Sequence, residues 1–302
     1  MIDVTIDRNK GIGGSECAAV LGLSRYKTPL QVYLDKTTEN INKETTMQME
    51  LGTYLEPFLI RKYEEISGNK CEKPQERFIN EKYPWLFAHI DSWIKNTNLI
   101  LEAKTTRFFD ENWGEDGTDL IPQEYLIQVA HYCIVCDAYK SIDGAEIIAL
   151  SKSDSVLRRY FYKRNKTLED LIIEKTKDFW ENNVLKQIAP EPKNSEDIRR
   201  LYKAAIKDAE IVATNEVSTK CDELYTVKQQ ITELEKQEDL LKSEIQYFMR
   251  ENEILIDING SKLASWKNRN ATRIDTKKLK EENPVTYALY SKTSESRVFL
   301  FK

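Results

Sequence analysis

IDSWIKNTNLILEAK, residues 90–104, is the stretch from which the rest of the chain is read. An apolar run, Leu99-Ile100-Leu101, leads directly into Glu102-Ala103-Lys104, and Asp91 lies upstream across the polar connection Lys95-Asn96-Thr97-Asn98. A connection of hairpin length predicts two strands, over 87–94 and 98–104. Glu102 and Lys104 are two apart on the second strand, so both project to one face, and a hairpin brings Asp91 alongside them. Two carboxylates converging on one point repel each other unless a divalent cation lies between them. Oxygen-only ligands favour Mg²⁺ or Mn²⁺ over zinc. The neighbouring lysine can then polarise a water or stabilise charge building on a phosphate, which suits metal-assisted phosphodiester hydrolysis. The bland reading is an exposed hairpin with a surface Glu–Lys pair, since so short a pattern also arises by chance.

Outward from this hairpin the chain reads as mixed α and β. Ser15 opens a helix in SECAAVLGL, and Pro29 lies in the first turn of another in TPLQVYLDKT. Residues 47–67 show helical apolar spacing and stop at Gly68; Glu56 lies in this helix just before Pro57. A helix over 122–138 carries Gln128, and strands are expected over 145–151 and 156–164. The order is therefore helix-Glu56, strand-Asp91, strand Glu102-x-Lys104, helix-Gln128.

The composition changes at Ala189-Pro190-Glu191-Pro192, which places a nuclease-type core in residues 1–192 and an extension in 193–302. Residues 195–250 are nearly free of Gly and Pro. Leu224, Val227, Ile231, Leu234, Leu241, Ile245 and Phe248 fall on heptad a and d positions interrupted at Glu238, as in a helical hairpin or short coiled-coil arm. LIDINGSKLASW then predicts a hairpin with a type I′ turn at Asn259-Gly260, followed by a helix near 275–291 and a strand over 297–301.

At 302 residues, 40% hydrophobic and 31% charged, the chain has ample length for a core. No apolar run is long enough to span a bilayer, and MIDVTIDRNKGIGG has no apolar signal region, so a cytoplasmic protein with no membrane partner is expected. Five cysteines at irregular spacing argue against a disulfide framework. A net charge of −5 gives no support to bulk non-specific nucleic-acid binding, yet a local basic channel is compatible with it.

The ordered elements, together with the opening GIGGSECAAVLGLSRYKTPLQVYLDKT, resemble the YqaJ-like viral recombinase nucleases, relatives of phage lambda exonuclease in the PD-(D/E)xK superfamily. The resemblance covers roughly residues 8–165. It implies an α/β, restriction-endonuclease-like core, a central mixed sheet flanked by helices, with a C-terminal helical plus small α+β extension. It also implies a Mg²⁺- (or Mn²⁺-) dependent 5′-to-3′ exonuclease on double-stranded DNA ends, a single-strand annealing protein as partner and a ring-like homotrimer. By the same resemblance Asp91 and Glu102 are metal ligands, with the Ala103 carbonyl helping and Glu56 a further ligand, direct or through water. Lys104 activates the attacking water and Gln128 orients it or Lys104. Arg8 and Ser15 hold the DNA 5′-phosphate. Backbone N–H groups at Gly13 and Gly14 suit that anion independently of the resemblance. Two positions depart from the family: Ile90 precedes Asp91 where proline is common, and Ser92 follows it where glycine is common. Ser92 and His89 are further candidates for DNA contact.

Other motifs read as structure. Cys133-x-x-Cys136 lacks the second cysteine pair a cluster needs, so packed thiols are expected, with His131 beside them in a core or helix-end role. Gly11-x-Gly13-Gly14 precedes any strong strand and is no dinucleotide fingerprint. Tyr160-Phe161-Tyr162 after Arg158 and Arg159 fits a strand alternating core aromatics with surface arginines. Trp266-Lys267-Asn268-Arg269 suits a DNA-contacting edge and a solvated strand end equally. The competing functions are an endonuclease with the same active site, and a catalytically inactive DNA- or partner-binding protein.

Overall fold

The computed structural model describes residues 8–38, 46–74, 77–293 and 296–301, which form two units divided between Tyr202 and Lys203. The first unit opens with a 3-10 turn, Arg8–Lys10, then β1 (Ile12–Gly13), α1 (Gly14–Val20), α2 (Pro29–Thr37) and α3 (Met47–Ser67). The cap of α1 is Gly13 rather than Ser15; its N–H donates to the Glu16 carboxylate at 3.2 Å, which moves Ser15 into the first turn. Thr28 caps α2 by accepting the Gln31 N–H at 3.2 Å, with Pro29 directly inside. α3 ends where Gly68 turns left-handed, φ 74°.

Next come β2 (Cys71–Glu72), β3 (Phe78–Asn80), β4 (Tyr83–Ala88), β5 (Ser92–Ile94) and β6 (Leu99–Thr106). They are followed by α4 (Gln123–Cys136), β7 (Gly144–Ser151), β8 (Leu157–Lys163), α5 (Lys166–Asp178), a π-helical turn over Phe179–Val184, and α6 (Ser195–Leu201). A five-stranded sheet runs β2-β5-β6-β7-β8, antiparallel except for β6 with β7, and a three-stranded sheet runs β1-β4-β3. The parallel pair needs a crossover, and α4 supplies it.

The single strand expected over 87–94 is two. β4 belongs to the small sheet and β5 to the large one, and the chain bends between them at His89, Ile90 and Asp91. A period-of-two pattern cannot reveal a strand that changes sheets midway.

Alternation along β6 divides the core. Ile100 packs with Val129, Ala145 and Ile147 on the α4 side, whereas Leu101 packs with Ile94, Ile148 and the α3 residues Leu59 and Tyr63 on the other. Each such aliphatic side chain, fully buried, contributes about 1.5–3 kcal/mol. Glu102 and Lys104 share the parity of Ile100, so the strand delivers them to the α4 side at its C-terminal half. The strand over 157–163 is as expected, with Tyr160 and Tyr162 buried and Phe161 outward.

The first unit continues past the composition break at residues 189–192 because α6 is docked. Asp197, fully buried, accepts from Thr28 Oγ1 at 2.8 Å and from the Lys193 N–H at 2.9 Å.

The second unit comprises α7 (Asn215–Met249), β9 (Ile254–Ile256), β10 (Lys262–Ser265), α8 (Thr276–Glu282) and α9 (Pro284–Tyr290). α7 runs unbroken for 35 residues, so no helical hairpin forms within it. Glu238 interrupts only the apolar stripe, being a good helix former paired with Lys242 at 2.7 Å. β9 and β10 form the expected hairpin, but a type I′ turn needs two positive φ angles and only Gly260, at 83°, has one. The loop closes instead through the Asp257 N–H donating to the Ser261 carbonyl, 2.9 Å. The helix expected near 275–291 divides at Asn283, ahead of Pro284, and residues 297–301 pair with no strand among the described residues. No helix among the described residues is long and apolar enough to cross a membrane.

Candidate active site

Asp91, Glu102, Lys104, Gln128 and Glu56 all line one cleft of about 500 Å³, together with Gly13, Gly14, Ser15 and His89. β6 presents Glu102 and Lys104 side by side, and Lys104 Nζ stands 2.6 Å from Glu102 Oε1. Asp91, at the bend between the sheets, accepts the Ala103 N–H on Oδ2 at 2.8 Å. That bond lays the aspartate against the same short segment of β6 without a ladder partner of its own.

α4 supports the carboxylate from behind. Gln128 Nε2 donates to Glu102 Oε1 at 2.8 Å and to the Tyr132 hydroxyl oxygen at 2.7 Å. Gln128 and Tyr132 are each only 6% exposed, and Glu102 2%. Tyr132 therefore belongs to the site although sequence reading passed over it; the signal was there, one helical turn from Gln128 on the same face. Tyr125 was also missed. Its ring lies 5.1 Å from Lys104 Nζ, a cation–π contact.

Burial pushes the Asp91 carboxyl well above the usual carboxylate range, with the Glu102 charge adding to it and Lys104 opposing. Burial, then the charges of Glu102 and Asp91, likewise drives the Tyr132 phenol far up. Glu102 Oε2 is buried and has no hydrogen-bond partner among the described residues. A buried, unpartnered carboxylate oxygen beside a second desolvated acid is an electrostatic deficit that a cation would relieve. The donor set, two carboxylates with the Ala103 carbonyl near them, fits a hard oxygen-seeking ion. Among the described residues no three His, Cys, Asp or Glu side chains converge as a ligand group. Glu56 lines the same cleft and its charge adds to the push on Asp91, while its Oε1 is held by Lys73 Nζ at 2.7 Å, a partner that nothing in the sequence pattern announced. Pro57, lacking an N–H, frees the Thr53 carbonyl from the α3 ladder at the cleft wall.

The remaining candidates separate. Ser15 is exposed in the cleft and Gly14 is buried at its edge. The side chain of Arg8 lies outside the described residues. His89 is exposed in the cleft, whereas Ser92 is 1% exposed and outside its lining, so a direct DNA contact from Ser92 is not built. His131 is fully buried; its Nε2–H donates to the Phe87 carbonyl at 2.8 Å, and burial pushes its pKa down to about 4. Cys133 and Cys136 are free, fully buried thiols, with Cys136 pushed up to about 12 by burial.

The family description "YqaJ-like viral recombinase domain" matches residues 5–139. The uncharacterized protein YqaJ of Bacillus subtilis (strain 168) is 30% identical over 306 residues, spanning 98% of this chain and 92% of that protein. Two solved structures align more distantly. An alkaline exonuclease of Laribacter hongkongensis shares 15% identity, TM-score 0.46, over 66% of this chain and 96% of that one. A phage-related exonuclease of Haemophilus somnus 129PT shares 14%, TM-score 0.44, over 59% and 96%. With its domain match and a relative alike along nearly the whole length, the chain belongs to the YqaJ-like viral recombinase family.

Proposed function

We propose that the protein is a divalent-metal-dependent deoxyribonuclease that degrades double-stranded DNA from its ends, 5′ to 3′, in phage-type recombination. The observation that carries the reading is the half-buried Asp91 and the buried Glu102, with Glu102 Oε2 unpartnered, beside Lys104 in an open cleft. A binding protein has no use for two acids that repel each other out of water. Asp91, Glu102 and the Ala103 carbonyl would hold Mg²⁺ or Mn²⁺, with Glu56 a further ligand, direct or through water, once its Oε1 is released by Lys73. When bound, such an ion polarises the scissile phosphate and makes water a better nucleophile at neutral pH.

The chain's own residues do the rest. Gln128 fixes the orientation of Glu102 by occupying Oε1, which leaves Oε2 as the oxygen that would serve a metal ion. Lys104, confined between Glu102 and the Tyr125 ring, orients the attacking water and meets negative charge as it builds on the phosphate. Ser15 and the Gly14 backbone, with Arg8, receive the 5′-phosphate, and His89 contacts the strand near Asp91. A grip on one strand's end supplies both end preference and direction. A single-strand annealing protein and a ring-like trimer complete this reading.

The test incubates the protein and its Lys104→Ala variant with 5′-phosphorylated linear duplex and with a covalently closed circle, in Mg²⁺ and in Mn²⁺. Loss of the linear DNA alone, absent in the variant, is expected. Cutting of the circle replaces the exonuclease by an endonuclease, and no cutting of either removes the catalytic reading.

A further inference from the structure

α7 shows how an ordinary solvated face treats its charges. Lys220 pairs with Glu216 at 2.5 Å, Lys236 with Glu233 at 3.6 Å and Lys242 with Glu238 at 2.7 Å. The segment 262–280 of the same unit is built differently. Seven of its nineteen residues are Lys or Arg against one acid, Asp275, in a chain whose net charge is −5. Asp275 is engaged as the cap of α8, where its Oδ1 accepts the Lys278 N–H at 2.9 Å. Lys262, Arg269, Arg273 and Lys277 have no acidic side chain within ion-pair reach among the described residues, and all are exposed. Lys267 has only a loose pair, 3.5 Å from Glu253.

An aromatic ring stands at the head of this run. Trp266 follows β10 directly, and its N–H donates to the Glu253 carbonyl at 2.9 Å, which fixes the residue against the hairpin. The residue is nevertheless 48% exposed. From there to Asp275 the chain forms neither helix nor strand, and Lys267 and Arg269 alternate with the amides of Asn268 and Asn270. Unneutralised cations in an open segment with an available indole face match what single-stranded nucleic acid offers: a phosphate every nucleotide and an unpaired base to stack.

We propose that segment 262–280 is a binding surface for single-stranded DNA, with Trp266 stacking a base and Lys262, Lys267, Arg269 and Arg273 meeting phosphates. The proposal rests on the reading of the protein as one that acts on DNA, and it gives the extension a task. Resection leaves a single strand, and a second grip on the same polypeptide keeps that strand at high local concentration.

The experiment uses the full chain carrying Lys104→Ala, so that DNA is bound and not consumed, and follows fluorescence anisotropy of an oligothymidylate against salt. Replacing Lys262, Lys267, Arg269 and Arg273 together by Gln should lower the slope of log affinity against log salt by about 3, as expected for four phosphates on a single strand. Trp266→Ala should weaken oligothymidylate binding about tenfold and leave a blunt duplex unaffected. Lys220, Lys236 and Lys242→Gln, a charge change of similar size on α7, should leave affinity within about twofold. An unchanged slope in the four-fold variant, or an equal loss in the α7 control, overturns the proposal. Equal loss on duplex in Trp266→Ala overturns the single-strand assignment. Unaltered DNA binding with lost adsorption to phosphatidylserine vesicles overturns DNA in favour of a membrane surface. Hydrolysis of a short duplex by protein retaining Lys104 is scored separately, so a failure of the nuclease reading is seen on its own.

Discussion

Gly14 lies against the ring of Tyr132 so closely that a Cβ there would stand 2.4 Å from Cε1. The ring is buried and its hydroxyl is the second acceptor of Gln128, so it cannot swing aside without breaking its bond with the residue that supports Glu102. Gly14→Ala is therefore expected to cost about 1–3 kcal/mol of stability by overpacking, and to lower hydrolysis as well. Urea melts and initial rates on linear duplex measure both. A normal rate and midpoint in the Gly14→Ala variant would show that α1 moves away instead.

Asp91 carries the second expectation. Its carboxyl is raised, chiefly by burial and then by the Glu102 charge, so its ionisation in the folded chain opposes folding. The sign follows: stability is full below the unfolded value and is lost as pH rises through the folded one. Asp91→Asn should therefore melt higher than the parent at pH 7 without metal, by about 1 kcal/mol, and the gap should close below about pH 4. The same variant should lose hydrolysis and any stabilisation by added Mg²⁺. Equal melting temperatures across that range would remove the electrostatic deficit inferred at the site.

His131 gives a pH dependence of its own. Burial holds the ring neutral down to a pKa of about 4, against an ordinary value of about 6.5. Between those values the unfolded chain binds more protons than the folded one, so stability rises with pH across that window. The total is about 3 kcal/mol, and His131→Gln should flatten this part of the profile. Denaturant midpoints of parent and variant at pH 4.5, 5.5 and 6.5, about the span of that titration, test it.

Asp197 should act locally. Without it Thr28 Oγ1 and the Lys193 N–H lose their common acceptor, at a cost of about 1–3 kcal/mol. Asp197→Ala is expected to open residues 193–202 to limited proteolysis while hydrolysis persists. Protection equal to the parent's would mean that apolar packing alone docks α6.

The hairpin of β5 and β6 was legible because strand parity alone puts Glu102 beside Lys104 and opposite the approach of Asp91. Gln128 was legible through its place in the ordered series of elements. What stayed hidden depends on contacts between distant segments. No local pattern tells that Lys73 takes Glu56, that Asp197 seats α6 against Thr28, or that the chain changes sheets at His89–Asp91. Ser92 looked available because a residue next to a functional aspartate is near it in sequence; on a strand its side chain points the other way.

That change of sheets has a mechanical consequence. Asp91 ends the link from β4 of the small sheet to β5 of the large one, and the Ala103 N–H ties its carboxylate to the large sheet, on which Glu102 and Lys104 ride. One helix spans both. His131 of α4 holds the Phe87 carbonyl of the small sheet, and Gln128, three residues earlier, holds Glu102 of the large sheet. A single turn of α4 thus clasps both sheets beside the acids, as one bar joins the two jaws of a caliper. Any force that bends or shifts that turn therefore pulls at once on Glu102 and on the strand that leads towards Asp91.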